Sequence, residues 1–186
     1  MDGQSTDGSD QIARSYPGVL YVRQETLGLA QARNLGLAYA DGEFIAFLDH
    51  DDIWLPNKLT QQIGFMVQHP DVAYCTTNFE WFVDPEFATA PFHQDRPLAT
   101  PQATPTPSTL AARPRAFVEN GLFAEELTLA CDSEWFARAR RRGLLSTHIP
   151  QVLVKKRLHN ANLSLHIERY RAEWLRVLRS LHHAYG

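Results

Sequence analysis

The chain has 186 residues, 44% hydrophobic and 21% charged, which suits one globular domain with a sizeable core and excludes disorder of the whole chain. Its 18 basic and 21 acidic residues give a net charge of -3, so no global field draws it to nucleic acid or to an anionic membrane. Two distant cysteines, Cys75 and Cys131, without Cys-x-x-Cys spacing, argue against a zinc site or disulfide framework and fit a reducing cytoplasm.

The run Gly18 to Gln24 (GVLYVRQ) predicts a short strand, followed by a turn at Gly28 and a helix over Leu29 to Ala40 that Asp41-Gly42 ends. Phe44 to Leu48 (FIAFL) is an unbroken apolar run, as a parallel strand covered on both faces requires, and it stops at Asp49-His50-Asp51-Asp52. Pro56 suits the first turn of a helix in which Leu59, Ile63 and Met66 share a face and which His69-Pro70 closes. Val72 to Thr77 is a further strand. Composition then turns to Pro, Ala and Thr with little periodicity from Asp84 to Pro114, a loop of functional length. Helices are predicted near Arg115 to Asn120 and Ser133 to Arg142, a strand near Val152 to Lys155, and a last helix over Leu165 to His183. Nothing along this order has the length and apolarity of a membrane span or the pattern of an export signal.

Alternating strands and helices point to an α/β fold with a parallel-rich sheet, whose ligands bind beyond the carboxyl ends of the strands. Leu48 to Asp52 lies at such an end. Three carboxylates within four residues repel one another and call for a cation or a set of donors. All-oxygen ligands select Mg²⁺ or Mn²⁺, ions commonly shared with the phosphates of a substrate, which implies a nucleoside diphosphate. The alternative at this point is an acidic turn in which one Asp caps the helix beginning near Leu55.

Ser5-Thr6-Asp7-Gly8-Ser9, Gly28, Ala32-Arg33-Asn34, Gly36, Asp41-Gly42, Phe47-Leu48-Asp49-His50-Asp51-Asp52, Trp54, Pro56 and Lys58-Leu59 match, in order and spacing, a known pattern. It resembles the nucleotide-sugar half of the family-two glycosyltransferases, which have the GT-A (Rossmann-like) fold. Cys131-Asp132-Ser133-Glu134-Trp135 and Arg157-Leu158-His159-Asn160-Ala161-Asn162-Leu163-Ser164 resemble that family's later motifs. The resemblance implies a single domain over residues 1–186: a nucleotide-sugar-binding half at 1–83, the loop 84–114, and an acceptor-side half with the C-terminal helix at 115–186. It also implies that the domain lacks its first strand-helix-strand. That leaves either a truncated product or fragment, or a homo-oligomer repairing an exposed strand edge.

By the same resemblance Asp49 and Asp51 are the Asp-x-Asp pair that holds the metal, with Asp51 the direct ligand and Asp52 in support. Asp2 is the surviving acidic residue of the nucleotide-binding strand end, and Arg33 lies near the diphosphate or the base. Asp132 is the general base of an inverting transferase, and His159 contacts the leaving diphosphate or the metal. Each has a plainer reading: a solvated helix charge for Arg33, an N-cap for Asp132 and a packed structural residue for His159. Asn34 is read as a fastener, Gly28 and Gly36 as backbone-approach positions, Arg138 as a helix-face charge, and Glu134 as either a substitute for the family's Glu before Asp132 or a helix-face charge. Cys131 departs from the family's Glu.

The implied activity is sugar transfer from a nucleoside diphosphate sugar to an acceptor hydroxyl on a saccharide or lipid-linked saccharide of the cell envelope. It would take place in the cytoplasm or at the inner membrane face. A non-catalytic remnant and a sugar nucleotidyltransferase are the rival readings. The last helix, with Leu165, Tyr170, Trp174, Leu175, Leu178 and Leu181 among arginines, is expected to pack on the core, with membrane contact the alternative.

Overall fold

The structure is a computed structural model that describes residues 1–83, 98–159, 162 and 166–183. Five strands form one sheet: β1 (Ile45–Ala46), β2 (Ile53–Trp54), β3 (Tyr74–Val83), β4 (Ala111–Ala112) and β5 (Ser146–Leu158), in the order β1-β4-β3-β5-β2. β3 and β5 pair in parallel, whereas β4 runs against β1 and β3, and β2 runs against β5. The sheet is therefore mixed. β1, β3 and β5 share one direction, as the strand-helix alternation implies, and the two-residue strands β2 and β4 fill places that no periodicity could announce. Helices α1 (Ser9–Ser15), α2 (Leu29–Tyr39), α3 (Lys58–Gln68), α4 (Pro114–Asn120), α5 (Cys131–Arg141) and α6 (Ile167–His183) flank it, with a 3₁₀ turn at Pro107–Thr109.

Several elements differ from expectation for identifiable reasons. Gly18 to Gln24 forms no strand: a single bridge joins Arg23 to Asp2, and Val19 and Leu20 are exposed. Extended backbone without a partner along its length makes no ladder. Likewise only Ile45 and Ala46 of the run Phe44 to Leu48 are paired; β1 lies at the sheet edge and Leu48 is exposed rather than covered. β5 is far longer than Val152 to Lys155 because it passes through Pro150. The register jumps from Ile149 to Val152 opposite Thr77 and Asn78, a bulge that tolerates a residue with no N–H to give.

The buried face of α3 is Lys58, Gln62 and Met66, while Leu59 is exposed. Gln62 is tolerated there because its amide donates to the carbonyls of Cys75 (3.3 Å) and Thr109 (3.0 Å). Lys58 places its ammonium 4.2 Å from the centre of the Trp54 ring, and burial pulls its pKa down to about 8. Of the predicted loop 84–114, residues 84–97 lie outside the described residues; the remainder carries the 3₁₀ turn and β4.

The core packs α4 and α5 on β3. Tyr74, Phe117, Phe123, Trp135 and Phe136 form edge-on and tilted pairs with centroids from 5.1 to 6.1 Å apart. Each such ring contributes about 1.5–3 kcal/mol by leaving water. Trp135 is fully buried, donates Nε1 to the Gly121 carbonyl at 2.9 Å, and so fixes the first turn of α5. Asp132 rides on that turn.

Candidate active site

The acidic turn follows the end of β1, and each of its carboxylates meets a different set of donors. Asp49 accepts from Arg33 Nη2 at 3.3 Å, and Lys156 Nζ lies 3.7 Å from its other oxygen. Burial works to raise its pKa, but Arg33 and Lys156 outweigh it and hold the carboxyl below the usual range. Asp52 is buried against Lys156, and there burial prevails and pushes the carboxyl up. Asp51 accepts from Asn162 Nδ2 at 3.4 Å and lies 3.1 Å from His159 Nε2, while its carbonyl accepts from Arg157 Nε at 3.3 Å. His50 is exposed. The N-cap of α3 is Asn57, so no Asp of the turn caps that helix.

Arg33 is the link between the two halves of the chain. It is buried on α2, and its guanidinium forks to Asp49 on one side and to Asp132 on the other. Burial disfavours its charge, yet the two carboxylates outweigh this and raise its pKa. It is therefore not the solvated helix charge of the plainer reading. Asp132 is the second residue of α5, whose N-cap is Ala130, so Asp132 is not the cap either. Its Oδ1 receives Arg33 and, at 3.2 Å, the thiol of Cys131; Oδ2 accepts no hydrogen bond from the described residues. Burial pushes the Cys131 thiol up to about 12, which keeps it a neutral donor where the family pattern has a second carboxylate. Burial also pushes Asp132 up, against the pull of Arg33.

Asp2 is not brought to this cluster by any contact. It accepts from Ser5 Oγ and Tyr21 Oη, each at 2.5 Å, and these bonds lower its pKa to about 2. Asn34 does fasten α2 to the segment after α4, donating to Phe123 O and Glu125 Oε1 at 2.9 Å and accepting from Phe123 N at 3.0 Å. Arg138 pairs with Glu134 and donates to the carbonyls of Asn120 and Leu122, away from the acidic turn.

Two further residues reach the site without a motif to announce them. Lys156 had a readable signal: it shares a strand face with buried Val154 and Leu158, an unusual place for a lysine. Ser108 had none, lying in the Pro- and Thr-rich stretch. Its buried hydroxyl accepts the Asp49 N–H at 3.2 Å, and its carbonyl accepts Trp54 Nε1 at 2.9 Å. Ser108→Ala is expected to cost about 1–3 kcal/mol, because the Asp49 N–H loses its acceptor. Urea denaturation reads this out; a change of only a few tenths would show that water replaces the hydroxyl.

The fit for a divalent ion centres on Asp51 and His159. Their facing atoms are 3.1 Å apart, both side chains are about one-fifth exposed (20% and 19%), and the Asp51 carboxylate faces His159 and Asn162, where Asp49 meets Arg33 and Lys156 and Asp52 meets Lys156. Among the described residues no three ligating side chains converge. An oxygen and an imidazole nitrogen suit an ion that completes its shell with phosphate and water.

A family model described as glycosyl transferase family 2 matches residues 1–120. An uncharacterized glycosyltransferase of Rickettsia typhi is 30% identical over 95% of this chain and 60% of its own length. The UDP-Glc:alpha-D-GlcNAc-diphosphoundecaprenol beta-1,3-glucosyltransferase WfgD of Escherichia coli is 46% identical over 33% of this chain and 24% of its own. Among solved structures, the mannosyltransferase PcManGT from Pyrobaculum calidifontis in complex with GDP-Man and Mn²⁺ superposes with a TM-score of 0.65. It is 16% identical, over 94% of this chain and 53% of that one. The matches thus span less than two-thirds of the length of each of these proteins.

Proposed function

Because the chain belongs to glycosyl transferase family 2, we propose that it carries the donor and base sides of an inverting transfer from a nucleoside diphosphate sugar to an acceptor hydroxyl. One observation carries the reading: Asp49, Asp51 and Asp52 are gathered with Arg33, Lys156 and His159 at one strand end, and Arg33 ties that cluster to Asp132. A bound Mg²⁺ or Mn²⁺, held by Asp51 and His159 with Asp49 nearby, would neutralise charge on the departing diphosphate. Arg33 and Lys156 add fixed positive charge, and the Arg33 fork suits phosphate oxygens as well as carboxylates. Asp132 Oδ2 takes the proton from the attacking hydroxyl, and Oδ1 stays anchored. Attack opposite the leaving diphosphate inverts the anomeric carbon. The acceptor is a saccharide or lipid-linked saccharide of the cell envelope, in keeping with the diphosphoundecaprenol acceptor in WfgD's name, and the work is done at the inner membrane face.

The test is calorimetric titration of the chain with UDP and with GDP, with and without Mn²⁺. Metal-dependent binding is expected, and Asp51→Ala should weaken it by about tenfold or more, at least the loss seen when residues behind a metal ligand are removed. Unchanged binding by Asp51→Ala would discard the metal assignment. A folded chain that binds neither nucleotide would favour the non-catalytic reading instead.

A further inference from the structure

We propose that the outward face of α6 docks on an anionic lipid bilayer, an inference that rests on the lipid-linked reading of the acceptor. α6 has two faces. On the inner one Trp174 and Val177 join the core, Tyr170 Oη meets Ser133 Oγ at 2.7 Å, and buried Glu173 accepts the N–H groups of Leu129 (2.8 Å) and Ala130 (3.0 Å). The expectation of core packing holds for this face. The placement of Leu165 and the side chain of Leu181 lie outside the described residues.

The adjoining sector is different. At about 100° per residue, Ile167, Arg171, Leu175 and Leu178 line up beside Trp174. There Ile167, Leu175 and Leu178 are 49%, 53% and 44% exposed. Arg171 pairs with Glu168 at 3.1 Å, whereas Arg176 and Arg179 make no hydrogen bond or ion pair with the described residues. Arg169, Arg171, Arg176 and Arg179 face solvent with Glu168 as the exposed acid, a basic surface on a chain whose net charge is -3.

Apolar side chains bordered by arginines, whose stems lie on hydrocarbon while their heads reach phosphate, suit a helix resting in the headgroup plane. A protein partner would have to meet those arginines with buried acids, which anionic headgroups supply without such matching. The helix is 17 residues, about 25 Å long. No helix among the described residues is long and apolar enough to cross a membrane, so contact would be along the surface. Because α6 is bonded to Ala130 and Ser133, which lie on either side of Asp132 in the chain, a lipid-borne acceptor would be delivered to the base side.

Co-sedimentation of the full chain with vesicles of equimolar phosphatidylglycerol and phosphatidylcholine, beside pure phosphatidylcholine, tests this. Binding to the anionic vesicles alone is expected, weaker at high salt. Leu175→Asp/Leu178→Asp and Arg176→Glu/Arg179→Glu should each reduce it by about tenfold or more, since one arginine near the surface is worth about fivefold. Circular dichroism confirms that the variants fold. Equal or absent binding to the two vesicle types, or wild-type binding by both folded variants, would overturn the proposal. So would light scattering that shows a dimer which does not bind vesicles and which the leucine variant dissociates. Vesicle binding needs no donor, so a chain that binds vesicles but not nucleotide retains this surface and loses the transferase reading, and the converse result loses only the surface.

Discussion

Asp132→Asn is expected to lower the transfer rate constant by about a hundredfold to ten-thousandfold, with Mn²⁺-dependent nucleotide binding held within about twofold. Asparagine keeps an oxygen for Arg33 and preserves the shape of the first turn of α5. Since Ala130 is the N-cap, no cap is lost. What disappears is Oδ2 as a proton acceptor. That oxygen is the candidate because the other carboxylates are engaged: Asp49 by Arg33 and Lys156, Asp51 by His159 and Asn162, Asp52 by Lys156 in a buried position. The Asp132 side chain is 24% exposed, enough for a hydroxyl to reach. Burial pushes its carboxyl above the ordinary range, so it holds an accepted proton better than a surface carboxylate does. Nucleoside diphosphate release with the donor that titration identifies gives the comparison. A rate that survives would move the base elsewhere; donor affinity that falls as far as the rate would make Asp132 mainly a tie between α5 and α2.

The residues that a motif could name were legible, and the partnerships between them were not. The spacing from Asp49 to Asp52 marked the strand end, and Asp132 and His159 stood in their own motifs, but nothing in the order of residues says that Arg33 bonds carboxylates 16 and 99 positions away. Such a fork depends on α2 and α5 converging, which the aromatic packing around Trp135 decides. Ser108 stayed hidden for a related reason: a hydroxyl in a Pro- and Thr-rich stretch has no periodicity, and its role arises only where the 3₁₀ turn passes the Asp49 amide. The face of α3 was legible only in part: Met66 is buried and Ile63 packs on the core, but Leu59 is exposed. Lys58 and Gln62 are buried as well, the one over Trp54 and the other bonded to backbone carbonyls. Two-residue strands and the single-bridge pairing of Arg23 lie below what pattern can resolve.

Arg33→Ala is expected to destabilise the chain by about 3–5 kcal/mol at neutral pH, the cost of leaving a largely buried charge without its partner. Asp49 retains Lys156 at 3.7 Å, so the loss falls chiefly on Asp132. Its carboxyl is already raised by burial, with Arg33 the principal opposing influence, and without Arg33 it rises further. Two consequences have definite signs. A base works only when ionised, so the low-pH limb of kcat/KM moves to higher pH in the variant. A carboxyl raised above its unfolded value stabilises the fold while protonated and loses that contribution as pH rises through the folded pKa, so the variant's stability deficit shrinks on acidification. Arg33→Lys keeps the charge but not the fork, and should fall between the two. Urea denaturation at two pH values and a pH-rate profile separate the possibilities. A limb that stays in place while stability falls would make Arg33 a structural tie that leaves the base untouched. A limb that moves with the deficit would show that the guanidinium sets the proton affinity of the residue assigned to the chemistry.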